Sequence, residues 1–371
     1  MASEEKKLLA IRLGQELQNY RAKHDMKQKE LAEKLHIEER SLRRWEVGQI
    51  PQNIGELKRI ADILGIRYEQ PGLSPSVYIP RTLDQIDEAI VSGWIYLQQL
   101  LYKEGRAFVE QLLRDLTFQI TTEDRQFLIR LARVRHVAGH ITSESSRTEN
   151  VPAAFYHYHE MEEIARILND HTLLNIALTY EGDMLRRQGK IREAIEYLEA
   201  ARDTSPEGDG EARGNTLQLL ARAFLVNKDM KGFENALAEA KELATTASTG
   251  STYGLYCLGA VYEEYGKSYG WLGQTEKALA YLDLAEKELL STPHWNLVLK
   301  TARAMALVRG GDVTNGGNLA IEAAILCHQT NNYRMLERVY TIENYLEQKT
   351  SEYGQITTLL RSTLNGPVEQ F

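Results

Sequence analysis

Only two cysteines, Cys257 and Cys327, occur in the 371 residues, and seventy positions separate them. They cannot supply a disulfide framework, which fits a reducing compartment. No apolar run approaches the roughly 18 residues of a membrane span, and no secretory apolar segment is legible. The chain is therefore expected to be cytoplasmic, with no membrane partner. A glycine-rich phosphate loop is also missing. Gly310, Gly311, Gly316 and Gly317 cluster, but no Lys-Ser or Lys-Thr follows them. Nor can a nucleophile, a base and an orienting acid be assembled, so no enzyme is expected. His136 and His140 lie four apart, and His157, His159 and Glu160 follow. Without a cysteine or a close carboxylate to complete a set, no metal and no other cofactor is expected.

Proline is scarce too, and its distribution is informative. Three of the eight prolines, Pro71, Pro75 and Pro80, fall between Arg67 and Thr82. That segment reads as an extended, stiff linker. It divides the chain into an N-terminal domain (1–66), the linker (67–82) and a second domain (83–371). Charge divides the same way. Residues 1–66 hold thirteen Lys and Arg against eleven Asp and Glu, a net of +2 in a chain whose total is −8, leaving −10 for the rest. A polyanion would be attracted to one end and repelled by the other.

The N-terminal residues have a distinct layout. Leu13, Leu17 and Tyr20 fall at helical spacing, as do Leu31, Ala32 and Leu35, and a third helical run covers Glu38 to Glu46. His24 and Asp25 break the first pair of helices. Only His36 and Ile37 separate the second from the third, which demands a tight turn and a steep crossing angle. Gly48 supplies a stop, and Ile54 to Leu64 sets Leu57, Ile60, Ala61 and Leu64 on one face.

This segment resembles the lambda-repressor and Cro-like (XRE) helix-turn-helix family. The resemblance rests on Gln28, Glu30, Leu31 and Ala32, then Ser41, Leu42, Arg44, Trp45, Glu46 and Gly48. It implies double-stranded DNA as a partner. Gln28 would sit against a phosphate at a helix start, with Lys27, Lys29 and Arg43 nearer the phosphates. Glu39, Arg40 and Arg44, flanked by Ser41, would face base edges, where Arg suits guanine and Glu can accept from cytosine. It also implies a structural ion pair between Arg21 and Glu46. The chain departs from the family at the tight turn, where His36 replaces Gly, and before the reading helix, where Glu38 replaces a Ser or Thr cap.

Beyond Thr82 nearly every segment reads as helix, and a repeat emerges. From Asn175, the residues Gly182, Leu185, Gly189, Ala194, Leu198, Ala201 and Pro206 fall at positions 8, 11, 15, 20, 24, 27 and 32, the signature of the tetratricopeptide repeat. Small residues at 8, 20 and 27 let paired helices approach, and larger ones at 11 and 24 fill the gap. The frame recurs from Gly214 (Ala221, Phe224, Phe233, Leu237, Ala240), from Gly259 (Gly266, Tyr269, Gly273, Ala278, Leu282, Ala285) and from Leu297 (Ala304, Leu307, Gly311, Gly316, Ala320, Ala323). Val91–Leu116, Asp124–His140 with Val151–Leu168, and Tyr333–Gln348 with Glu352–Leu364 read as degenerate or capping hairpins. In this frame Tyr262 and Tyr269 occupy packing positions. The expected fold class is all-α, a helix-turn-helix domain followed by six or seven hairpins in a right-handed superhelix.

Such solenoids hold extended segments against their inner helices. Positions 2, 5, 9 and 12 of each frame select Thr179, Asp183, Arg186, Asn215, Gln218, Arg222, Glu263, Lys267, Thr301 and Met305 as candidate ligand contacts. A helix-turn-helix head on such a body resembles the cytoplasmic peptide-pheromone receptors of Gram-positive bacteria, the Rgg, PlcR and PrgX group. The resemblance implies a homodimeric quorum-sensing regulator whose body binds a short peptide and alters operator binding. A regulator or scaffold whose body docks a protein segment is equally compatible with the residues.

Overall fold

The computed structural model describes residues 17–18, 20–22, 24, 26–35, 37–47, 80, 82–117, 124–147, 151–204, 209–246, 250–349 and 354–365. The chain divides into two compact units, Met1–Ile79 and Pro80–Phe371. The expected turn at His36, the stop at Gly48, the Ile54–Leu64 helix and nearly all of the proline linker lie outside the described residues.

In the first unit, α1 (Gln28–Lys34) and α2 (Glu39–Glu46) follow helical residues at 17–18 and 20–22. Leu17, Leu31, Leu35 and Leu42 are fully buried, with Ala32 and Trp45 nearly so. Tyr20 and Ile37 pack against that core. The apolar spacing of the sequence thus maps directly onto one small core, which fixes how α2 is presented.

The second unit is a stack of seven helical pairs among the described residues: α3 (Leu83–Gln98) with α4 (Tyr102–Thr117), α5 (Arg125–Glu144) with α6 (Val151–Leu168), α7 (His171–Arg187) with α8 (Ile191–Thr204), α9 (Gly210–Val226) with α10 (Met230–Thr246), α11 (Leu258–Trp271) with α12 (Thr275–Glu288), α13 (Pro293–Arg309) with α14 (Val313–Thr330), and α15 (Tyr333–Lys349) with α16 (Gly354–Asn365). The fold is all-α. The first helices of five pairs start from Thr or Asp caps: Thr82, Asp124, Asp170, Asp209 and Thr292 each accept from a backbone N–H of the first turn.

Packing follows the repeat frame. Ala194, Leu198, Ala201, Phe233, Leu237, Ala240, Ala278, Leu282, Ala285, Ala320 and Ala323 are all fully buried. A Cβ on Gly182 would lie 2.7 Å from Leu198 Cγ, and one on Gly266 would lie 2.6 Å from Leu282 Cγ. Position 8 therefore has to be glycine where position 24 is a leucine pressed this close. Position 15 turns the chain in a left-handed conformation at Gly189, Gly273 and Gly311, and in the weaker copy Lys228 adopts it with φ 63°. The aromatic group at the fifth pair differs from expectation. Tyr265 and Tyr269 are buried and Tyr265 stacks on Tyr281, whereas Tyr262 is only half-buried.

The two ends of this unit also meet. α13 packs against α3 and α15 against α5. The buried Tyr102 hydroxyl accepts from Asn332 Nδ2 at 2.9 Å and lies 3.3 Å from His294 Nδ1. Thr292 Oγ1 donates to Gln98 Oε1 at 2.9 Å. No helix among the described residues is long and apolar enough to cross a membrane.

Candidate functional site

In the N-terminal unit α2 is held by one buried carboxylate. Glu46, 6 % exposed, receives Arg21 Nε at 2.9 Å and Gln28 Nε2 at 2.6 Å on its two oxygens, while its carbonyl accepts from Gln18 Nε2 at 2.8 Å. The Arg21 to Glu46 pair implied by the family resemblance is therefore present. Gln28 is placed differently from that expectation: its amide points inward to Glu46, leaving its helix start without that side chain for a phosphate. Lys27, by contrast, is exposed and caps α1, its N–H donating to Glu30 Oε2 at 2.7 Å.

On α2, Glu39 and Arg43 form an i, i+4 ion pair. The two expected DNA contacts thus partly neutralise each other. Arg40 and Arg44 are exposed, Ser41 is half-buried, and Lys29 is exposed on α1. Glu38 occupies the N-cap position without a side-chain capping bond. The exposed part of α2 consequently carries cations at 40, 43 and 44 against the acids at 38 and 39.

In the second unit, the first helices of five pairs converge on a cavity of about 370 Å³. Arg186 and Arg187 come from α7, Arg222, Leu225 and Val226 from α9, and Lys267, Ser268 and Trp271 from α11. Thr301, Ala302 and Met305 come from α13, and Arg334, Glu337, Arg338 and Thr341 from α15. Six cations and one acid line it. A smaller cavity of about 70 Å³ is lined by residues that include Asn215, Gln218, Arg222, Glu263, Arg334 and Arg338, so Arg222, Arg334 and Arg338 border both.

The charges of this wall are arranged in depth. Behind the cations lie the buried acids Glu144, Asp183, Glu263 and Glu264. Arg334 pairs with Glu144 and, at 3.5 Å, with Asp183 Oδ2. Arg186 lies 2.7 Å from Asp183 Oδ1, and Arg222 and Lys267 share Glu264. Asp183 is held far below the usual carboxylate range: Arg186, Arg334 and Arg222 outweigh its burial. Glu264 is held at about 2 despite burial, first by Arg222 and then by Lys267. The cations respond in the opposite sense. Burial, reinforced by Arg222, pushes Lys267 down to about 7 although Glu263 and Glu264 oppose it. Burial also lowers Arg338 to about 10. Its Nη1 is sealed from solvent without a hydrogen-bond partner and sits 3.7 Å from Glu263 Oε1, too far for a hydrogen bond.

The expected ligand contacts separate into groups. Arg186, Arg222, Lys267, Thr301 and Met305 line the larger cavity, and Asn215, Gln218 and Glu263 line the smaller one. Thr179 and Asp183 line neither. Thr179, fully buried, shares a hydrogen bond with Thr216 at 2.6 Å, and Asp183 is spent on its arginines. Asn215 donates to Tyr180 Oη at 2.8 Å, so one end of its amide serves the fold.

Arg187, Arg334 and Arg338 were not singled out by the repeat frame. Arg187 sits one residue past the selected position and bonds Ser143 Oγ at 2.6 Å. Arg334 and Arg338 are four apart on a helix that reads as a cap, and that spacing, with Thr341 beyond, is the signal that could have found them.

His136 and His140 sit in an aromatic box, their rings 5.0 and 5.1 Å from that of Trp94, with Tyr180 also against both. Burial pushes His136 down to about 3 and His140 well below its ordinary value. His159, named in the sequence but without a carboxylate partner assigned there, has two carboxylates beside it from positions 162 and 181. His159, Glu162 and Glu181 place one ligand atom each within 4.8 Å of one another.

Comparison with known proteins gives three findings. Residues 17–70 match the helix-turn-helix family model. No curated protein matches the chain. Among solved structures, the chain is similar to a Podosopora anserina kinesin light chain protein with nearly identical TPR-like repeats, at 16 % identity and a TM-score of 0.38, over 56 % of this chain and 96 % of that one. It is also similar to Bacillus thuringiensis PlcR, solved in complex with the peptide PapR7 and DNA, at 16 % identity and a TM-score of 0.38, over 74 % of this chain and 96 % of that one.

Proposed function

We propose that this protein is a homodimeric, sequence-specific DNA-binding regulator whose helical body takes a short peptide in the cationic cavity and thereby changes operator binding. The helix-turn-helix match over residues 17–70 supports the DNA-binding half. The observation that carries the sensing half is the convergence of six cations from α7, α9, α11 and α15 on one cavity of about 370 Å³. That volume is in the range of small-ligand sites and too small for a folded partner. Leu225, Val226, Trp271, Ala302 and Met305 add apolar wall, and the guanidinium groups suit a carboxylate, either the peptide's free C-terminus or an acidic side chain.

Because the cavity is built from five different helices, a ligand drawing the cations together would shift those helices relative to one another. A change in helix spacing, rather than a contact to DNA, is the route by which occupancy would reach the heads of a dimer.

Selection from a random duplex pool by the purified full chain, at two salt concentrations, tests the DNA half. An inverted repeat with half-sites about one turn apart, roughly 34 Å, is expected. Arg44→Ala should relax base preference, while Lys27→Ala should weaken all sequences alike and lower the salt slope by about 1. A selection unchanged by Arg44→Ala would reject α2 as the reading element. Operator affinity measured with short acidic peptides, bearing free or amidated C-termini, tests the sensing half. If none alters it, the reading passes to a body that docks a protein.

A further inference from the structure

We propose that His159 and Glu162 of α6, together with Glu181 of α7, form a binding site for one divalent first-row transition-metal cation such as Zn²⁺. This site lies outside both cavities and does not depend on the peptide reading.

The geometry of the donor atoms is the first ground. His159 Nδ1 lies 3.2 Å from Glu181 Oε1 and 3.3 Å from Glu162 Oε2. A tetrahedral cation with ligand bonds near 2.1 Å separates neighbouring donors by roughly 3.4 Å; both spacings from His159 fall near that value, and all three donor atoms lie within 4.8 Å of one another. A single Nδ1–H can serve one carboxylate well; it does not account for a second at nearly the same distance. The three positions also come from two helices, with 159 and 162 one turn apart on α6 and 181 across from them on α7. The set is therefore fixed by rigid elements, not by a loop.

The second ground is the state of Glu181. Its side chain is wholly buried, and Oε2 is sealed from solvent with no hydrogen-bond partner. A buried carboxylate oxygen left unpaired is costly, and such groups in native folds are commonly paired with a cation. The nearby guanidinium of Arg166 is committed to Glu162 Oε1, by Nε at 2.8 Å and Nη2 at 2.5 Å. Arg166 offsets one of the two carboxylates, leaves Glu162 Oε2 facing the histidine, and provides no donor to Glu181. A divalent cation would satisfy what remains.

Half of the His159 side chain is exposed, so the site opens to solvent on one side. Remaining coordination positions would be filled by water, which makes the ion exchangeable. One imidazole and two carboxylates favour Zn²⁺, Mn²⁺, Fe²⁺ or Co²⁺ over Mg²⁺, which prefers oxygen donors and keeps its waters. Bound there, the ion would clamp α6 to α7, the helix that carries Arg186 and Arg187 to the cavity.

The competing account is that Glu162 and Glu181 share a proton and bind nothing. Calorimetric titration of the chelator-treated full chain with Zn²⁺, with Mg²⁺ as control, separates the two, alongside Co²⁺ absorption and thermal melting. One Zn²⁺ per chain is expected, with proton release on binding, a raised melting temperature and a Co²⁺ spectrum of nitrogen and oxygen ligation. His159→Ala, a change at a half-exposed residue, and Glu181→Gln, which keeps the side-chain shape, should each weaken binding at least tenfold. No saturable Zn²⁺ binding by the wild type, or binding undiminished in a folded His159→Ala variant, would overturn the proposal. Glu181→Gln raising metal-free stability while wild type binds no Zn²⁺ would establish the shared proton in its place.

Discussion

Two buried histidines shape the acid side of this molecule's pH response. His136, 1 % exposed, is pushed down to about 3 by burial and, secondarily, by Arg133. The unfolded chain protonates this residue near 6.5, so between pH 6.5 and about 3 the unfolded state binds the extra proton and stability falls with acidification. His140 shifts in the same direction, with His136 itself contributing. Replacing His136 by Leu should flatten the acid side of the stability curve. In urea titrations at pH 7 and pH 5, the wild type should lose about 2 kcal/mol more than the variant from this group alone. Parallel losses in the two proteins would show that His136 is protonated in the folded state, against the closed aromatic box. The same scale explains the head: one carboxylate, Glu46, organises Arg21, Gln28 and the end of α2.

Between neighbouring helices the decisive quantity is distance of approach. The Cβ absent from Gly182 would press on Leu198 Cγ at 2.7 Å and on the Ala194 carbonyl at 3.2 Å, so Gly182→Ala should destabilise the body by about 1–3 kcal/mol. Lys228 gives the opposite sign. It holds φ 63° at the repeat position where Gly189, Gly273 and Gly311 turn the chain, and Lys228→Gly should be neutral to stabilising, by up to about 1 kcal/mol. Thermal melting of the two variants tests the pair; a destabilising Lys228→Gly would refute strain at that turn. These positions also show why so much of the fold was legible. The repeat's signature is a local record of a local contact, position 8 against position 24 within one hairpin, and it survives in sequence wherever the hairpin is tight. The flanking pairs lack it: Val91–Leu116 reads as a hairpin, but its turn is left unplaced because Leu100, with φ 59°, turns the chain between α3 and α4 without a glycine or proline to mark it. The cavity was legible only in part for a related reason. Arg186, Arg222 and Lys267 follow from the frame, but Arg334 meets Glu144 across 190 residues, and nothing local to α15 announces that neighbour. Gln28 is the reverse case: the helical pattern places it at the start of α1, but nothing in its spacing announces that its amide turns inward to Glu46.

For the whole molecule, the consequence of closing the stack is that charges distant in sequence share one wall, and their protonation becomes coupled to what enters it. Lys267 is the sensitive member, depressed to about 7 by burial and by Arg222. In the unfolded chain it titrates near 10.4, so between pH 7 and about 10 the unfolded state binds more protons and this residue makes stability rise with pH. A carboxylate entering the cavity reverses the local balance: it favours the charged ammonium and raises the pKa again. Binding of a short acidic peptide at pH 8 should therefore draw up to one proton from the buffer. Titration calorimetry in two buffers of different ionisation enthalpy reads this as a difference in apparent heat, and Lys267→Met should abolish the difference while leaving the arginines to hold the anion. An apparent heat independent of buffer would mean that Lys267 is already charged in the free protein, or that the ligand's carboxylate does not reach it. In that event the cavity-lining arginines of α7 and α15 would be the anion's partners.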